Sequence, residues 1–169
     1  MAGRQRPQGP RRIDTAADAV ADERVRAFGV LLTTTSLLER LLGAAMERDS
    51  GLSHPMFEVL LLVGAQPEGV PMGELSRRLV LTSGGATRLV DRMVGAGLVA
   101  RERSRDDRRV QVVTLTPDGG SKLVEAARRH AEELDRHLCA VLAPERLAAR
   151  VDGLDELGRH VNDVLPPLG

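Results

Sequence analysis

The chain has no tryptophan and no tyrosine, and its only phenylalanines are Phe28 and Phe57. A core without aromatics must be assembled from Leu, Val, Ala and Met, which favours packed helices over a β-sandwich. A single cysteine, Cys139, excludes an internal disulfide and any cysteine-cluster zinc site. No uninterrupted run of about 18 apolar residues is present, and no apolar leader core follows the start, so no membrane partner is expected and the cytoplasm is the default compartment. A glycine-rich phosphate loop, a pair of catalytic acids and a nucleophile elbow are all missing, which argues against an enzyme and against any cofactor. Net charge is formally zero, and only Lys122 among the 24 cationic residues is lysine.

The distribution of charge is uneven. Between Gly73 and Arg109 nine arginines stand against five acids, while the flanking segments each carry an acidic excess. A local basic field of this kind attracts polyanions even on a neutral molecule. Arginine is suited to phosphate and guanine, although its dominance runs through the whole chain and matches a GC-rich coding bias.

Hydrophobic periodicity predicts a mainly helical protein. Residues 1–13 are Gly, Pro, Gln and Arg with little to bury, and read as a disordered basic arm. The remainder, 14–169, reads as one folded domain. A long amphipathic helix is expected over about 15–49, with Phe28, Leu31, Leu32, Thr35, Leu38, Leu42 and Ala45 at three- and four-residue steps. Gly51 suits its C-terminal cap. Ser53 is placed to cap a second helix, "PMFEVLLLVGA", which is apolar on nearly all sides and should be central. "QPEGVP" then breaks the chain.

Two short helices joined by a tight turn follow over about 71–96, the helix-turn-helix pattern. Met72, Leu75 and Leu79 line one side of the first. In the second, Ala86, Leu89, Val90 and Met93 face inward, leaving Gly84, Thr87, Arg88, Asp91 and Arg92 outward. A hairpin is expected over about 98–116, with Val113 and Leu115 alternating against polar neighbours. Thr116, Pro117 and Asp118 supply a cap, a first-turn proline and an acid at the positive end of a helix. Two helices complete the chain over about 117–165, broken near Ala143. Val124, Ala127, Ala131, Leu134, Leu138 and Val141 form a narrow seam on the first.

A helix exposing Thr and Arg from its first turns can enter the major groove, where arginine bonds guanine O6 and N7. Thr82 and Ser83 can donate to phosphates beside the free backbone amides of the first turn. Gly84 and Gly85 each cost about 1 kcal/mol relative to alanine, and a missing side chain would let the backbone approach DNA. Arg105, Arg108 and Arg109 on a thin β-ribbon can reach the minor groove. A solvated, self-paired charge run is the alternative for that tip, since Asp106 and Asp107 lie among the arginines.

The segment "LTSGGATRLVDRMVGAGLVARERSRDDRRVQVVTLTPDGG" closely resembles the winged helix-turn-helix of the multiple antibiotic resistance regulator (MarR) family. "DRRVQVVTLTPDG" follows that family's Asp-x-Arg…Val-x-Leu-Thr-x-x-Gly pattern. The resemblance implies a winged helix-turn-helix fold with N- and C-terminal dimerisation helices, and a homodimer reading a pseudo-palindrome on double-stranded DNA. It places Ser83, Gly84, Thr87 and Arg88 at the major-groove positions, Arg109 at the minor groove, and Asp107 as the acid that steadies the wing. A small-molecule effector bound between the dimer helices and the DNA lobe would release a repressor from its operator.

Rival readings remain at this stage. His130, Glu133 and His137 share a helix face and are weak candidates for a metal site, as in a metal-responsive regulator of the same fold. Cys139 would serve a redox-responsive member, but a buried structural thiol is the expectation. His54 is either a cap-region residue or a pocket group. A helical dimeric interaction module without DNA readout is the reading from another class.

Overall fold

The computed structural model describes residues 12–104 and 107–165. The chain divides into two compact units, Met1–Leu41 and Leu42–Gly169. The basic arm assigned to residues 1–13 lies outside the described residues except for Arg12 and Ile13, and Arg105 lies outside them too.

The first unit holds α1 (Ala16–Ala21) and the greater part of α2 (Glu23–Ser50). A single helix was expected here, but the chain turns extended at Asp22 (φ −69°, ψ 121°). The cause is local. Thr15 and Asp18 form a reciprocal capping box at the start of α1, and Asp22 then restarts the helix as a cap. Its carboxylate accepts from the Arg24 and Val25 backbone amides and from the Arg24 guanidinium. That guanidinium holds the Asp22 carboxyl well below the usual carboxylate range.

By length and composition α2 is apolar enough to cross a membrane, yet its buried residues are confined to Leu42, Ala45, Met46 and Ser50 at the C-terminal end. Phe28 is 64% exposed, and Val25, Leu32, Leu37 and Leu41 are exposed as well. Of the periodic stripe, Leu42 and Ala45 are buried, while Phe28, Leu32 and Thr35 are exposed.

The second unit contains that core. Helix α3 (His54–Gly64) buries Met56, Phe57, Val59, Leu60 and Val63, as expected of a segment apolar on nearly all sides. Burying each such side chain contributes about 1.5–3 kcal/mol. Ser53 occupies the N-cap position without making a side-chain cap bond, and its buried hydroxyl has no partner. That cap was expected and is not formed.

A strand the sequence reading did not foresee comes next: β1, Val70–Pro71. It pairs antiparallel with β3 (Gln111–Leu115), which pairs in turn with β2 (Val99–Arg103), giving a three-stranded sheet of order β1-β3-β2. Register sets Val70 against Val113 and Val99 against Leu115.

Helix α4 (Met72–Arg78) and helix α5 (Ser83–Gly95) lie between β1 and β2 in sequence. Ala86, Leu89, Val90 and Met93 are the buried residues of α5, the four that periodicity places inward. Leu75 is buried on α4, with Met72 and Leu79 packed at the edge of the same cluster. Both helices end in the same hydrogen-bond pattern. The Leu81 amide donates to Ser76 and Val80 to Arg77 after α4; Leu98 donates to Met93 and Gly97 to Val94 after α5. This is the Schellman arrangement, which needs a left-handed residue at its centre. Gly97 (φ +72°) meets that need without strain, whereas Val80 (φ +53°) adopts it as a β-branched residue.

Helix α6 (Pro117–Leu134) runs into a π-helical turn, Asp135–Cys139, before α7 (Pro144–Val164). The π turn was not expected. Ala126 is the buried apolar side chain of α6, whereas Val124 and Val141 of the expected seam are exposed. Cys139 is exposed rather than buried. It belongs to the π turn, which contains no buried residue, so the expectation of a structural thiol is corrected.

Candidate nucleic-acid interface

Helix α5 presents its outward residues from a capped start. The Thr82 hydroxyl accepts from the Gly85 amide at 3.2 Å, which satisfies one of the orphan donors of the first turn. Ser83 and Gly84 follow in the same exposed turn. The two glycines differ in what they require. A Cβ on Gly85 would press on the Thr82 hydroxyl at 3.2 Å, while one on Gly84 would meet only Arg88 Nη1 at an ordinary 3.6 Å. Among the described residues, nothing demands glycine at 84. A group outside the chain that approaches the backbone would.

One and two turns further on, Thr87, Arg88 and Arg92 are exposed on the outer face. The Thr87 hydroxyl donates to the Ser83 carbonyl at 2.9 Å, so its outward-facing capacity is its methyl group and its two lone pairs. Among the described residues neither Arg88 nor Arg92 makes a side-chain ion pair with an acid.

Arg101 behaves differently from its neighbours in the basic segment. On β2, 27% exposed as a side chain, it pairs with Asp91 at 2.7 Å and donates to the Thr87 carbonyl at 3.3 Å. Its Nε is buried without a partner. Arg101 is one of the nine arginines between Gly73 and Arg109. In the folded chain it ties strand β2 to the outer turns of α5. The nearest sequence signal was an acid on the outward face of α5 and an arginine early in the following strand.

The wing tip is organised by Asp107. Its carboxylate accepts from the Arg109 amide at 2.9 Å, and its carbonyl accepts from the Val110 amide at 2.9 Å. Ser104 closes the strand side by donating its amide to the Val110 carbonyl. A short acid that folds back on the amide two residues ahead fixes a tight turn. Arg108 and Arg109 are exposed beside it. Along the hairpin, the Thr114 hydroxyl reaches Glu102 at 3.3 Å.

The metal candidates do not converge. His130 packs against Phe57 edge-on at 5.3 Å and lies 5.7 Å from His54. Glu133 is engaged by Arg136 and by His137 at 3.4 Å. Among the described residues no group of three His, Cys, Asp or Glu is placed to hold a metal ion. The same region carries a shallow recess lined by Ala45, Met46 and Ser50 of α2 and by Ala126, Arg129 and His130 of α6.

Known proteins share this arrangement. Residues 50–110 match the MarR family profile. The HTH-type transcriptional regulator MhqR of Bacillus subtilis is 30% identical over 108 residues, covering 64% of this chain and 73% of MhqR. YcgE of Bacillus subtilis, 42% identical over 74 residues, matches over 42% of its own length. Among solved structures, Sco3205, a MarR family transcriptional regulator from Streptomyces coelicolor in complex with DNA, superposes with a TM-score of 0.72. It is 26% identical, over 92% of this chain and 95% of Sco3205. CouR from Rhodococcus jostii, bound to p-coumaroyl-CoA, shares the fold with a TM-score of 0.67 at 22% identity, over 88% of this chain and 97% of CouR. With residues 50–110 matching the MarR family profile and MhqR 30% identical over 73% of its length, the chain belongs to the MarR family of transcriptional regulators.

Proposed function

We propose that the protein is a homodimeric DNA-binding repressor of a pseudo-palindromic operator, released from it by a small-molecule effector. The observation that carries the reading is the contrast among the arginines. Arg101 is held internally by Asp91 and Thr87, while Arg88, Arg92, Arg108 and Arg109 stand exposed on α5 and at the wing tip. Exposed guanidinium groups that, among the described residues, pair with no acid, beside a capped helix start, match the charge and geometry of a DNA backbone with its major-groove edges. Ser83, Gly84, Thr87 and Arg88 would face the major groove, Arg109 the minor groove, and Thr82, Arg92, Arg105 and Arg108 the phosphates. Asp107 would aim the wing by fixing the Arg109 backbone.

Exposed apolar surface supports a dimer. Val151, Leu154, Leu157 and Val161 are exposed on α7, at three- and four-residue steps that place them on one stripe, and no residue of α7 is buried. An apolar stripe of that length on a soluble regulator needs a partner. A second copy is the occupant favoured by the family relationship. For the effector, CouR provides the precedent of a relative that holds an acyl-CoA thioester, and the recess between α2 and α6 is the candidate location.

The test is a footprint on the DNA upstream of the protein's own reading frame, with and without candidate effectors. Protection of two segments about 10–10.5 base pairs apart, centre to centre, or a multiple of that, lost on adding one effector, is expected. A protein that protects no DNA there or in a random-sequence selection would leave the helical interaction module as the better reading.

A further inference from the structure

We propose that Thr116 and Gly119 are positioning residues that set the half-site spacing this regulator reads, by locking the start of α6 to the end of α5. The inference rests on the reading of the protein as a homodimer on DNA.

The joint is built from two contacts. The Thr116 hydroxyl shares its single proton between the Gly97 carbonyl at 2.7 Å and the Leu98 carbonyl at 3.0 Å. As the cap of α6, the same oxygen accepts from the Gly119 amide at 2.9 Å. The Thr116 amide adds a bond to the Leu98 carbonyl at 3.3 Å. One side chain therefore joins the Schellman turn that ends α5 to the first turn of α6. Gly119 completes the joint by absence. A Cβ there would lie 1.9 Å from the Leu98 carbonyl oxygen and 2.8 Å from its carbon. Both are backbone atoms, so the clash cannot be relieved by rotating a side chain.

The consequence is geometric. Alanine at 119 must push the two backbones apart by at least about 1 Å to reach any tolerable contact. Buried Ala126 lies seven residues on, about 10 Å along the helix, so that displacement is a tilt of about 6°. Over the roughly 27 Å of an 18-residue helix, that tilt displaces the two ends relative to each other by about 3 Å. That approaches the base-pair rise of about 3.4 Å. In a dimer held through its terminal helices, the separation of the two α5 helices is inherited from the angle each makes with its own α6.

The experiment uses the full chain with Gly119→Ala, Thr116→Val and Thr116→Ser. Duplexes enriched from a random pool by the wild type are rebuilt with their half-sites moved apart or together in single base-pair steps. Gly119→Ala and Thr116→Val are expected to shift the preferred spacing or flatten the preference, with binding to one isolated half-site unchanged. Thr116→Ser, which keeps the hydroxyl, is expected to retain the wild-type optimum.

A second readout needs no DNA. Spin labels at Val94→Cys and Glu132→Cys in a Cys139→Ser background, diluted with unlabelled protein, report the distance between α5 and α6 within one chain. Gly119→Ala is expected to move that distance by about 1 Å or more. Folded variants that keep both the wild-type spacing optimum and the wild-type label distance would overturn the proposal. Should the wild type enrich no duplex, the DNA-binding reading falls, and an unchanged label distance would still overturn the joint separately.

Discussion

Helices α5 and α7 are both amphipathic, and the chain treats them in opposite ways. Helix α5 buries Ala86, Leu89, Val90 and Met93 against α3, α4 and the sheet. Helix α7 carries a comparable stripe in Val151, Leu154, Leu157 and Val161 and buries none of it. The same periodicity thus serves two ends. One stripe folds the winged lobe within a single chain, while the other stays exposed, the stripe we propose for association with a second copy. The outer faces differ too: among the described residues, α5 turns out Arg88 and Arg92 without ion pairs, whereas α7 holds Arg159 close to Asp155 and Arg150 on its own backbone.

Breaking the α7 stripe should have the largest effect. Leu154→Glu combined with Leu157→Glu is expected to yield a folded monomer by sedimentation. Its affinity for the two-site operator should fall about 100-fold or more, because the second lobe is no longer tethered. Breaking the α5 side of the comparison acts on folding instead. Leu60→Ala, at a fully buried position of α3 against which α5 packs, should lower unfolding free energy by about 2–5 kcal/mol in denaturant titration.

The outer face gives a smaller and cleaner difference. Arg109→Ala should weaken specific binding by about 1–3 kcal/mol with thermal stability and dimerisation unchanged, whereas Arg101→Ala should reduce binding and stability together, since that arginine braces α5. The smallest effect is at the turn between α4 and α5. Val80→Gly relieves a left-handed β-branched residue and should raise stability by about 1 kcal/mol or less, measured by chemical denaturation.

Much of the winged lobe was legible because its signals are local and mutually consistent. The inward set of α5, the bounds of α5, the α6 cap at Thr116 and the two wing strands all follow from periodicity and turn residues. What escaped depends on partners distant in sequence or on chemistry that mimics its neighbours. Strand β1 is two residues long, too short for alternation, and exists because β3 arrives beside it. The break at Asp22 interrupts an otherwise helical pattern through a side chain that can equally lie within a helix. Cys139 lies in the π turn, which buries no residue, and the expected seam is already exposed upstream of that turn, at Val124. For the candidate interface, the exposed residues were identifiable by face, but the internal role of Arg101 needed the spatial pairing of β2 with α5.

The most direct test of the central claim is the salt dependence of operator binding, measured as log affinity against log salt concentration with the stoichiometry determined in parallel. Two lobes each neutralising two or more phosphates predict two chains per duplex and a slope of about −4 or steeper. A flat dependence, or binding by one chain with no change in slope when Arg92 and Arg108 are replaced by alanine, would contradict it.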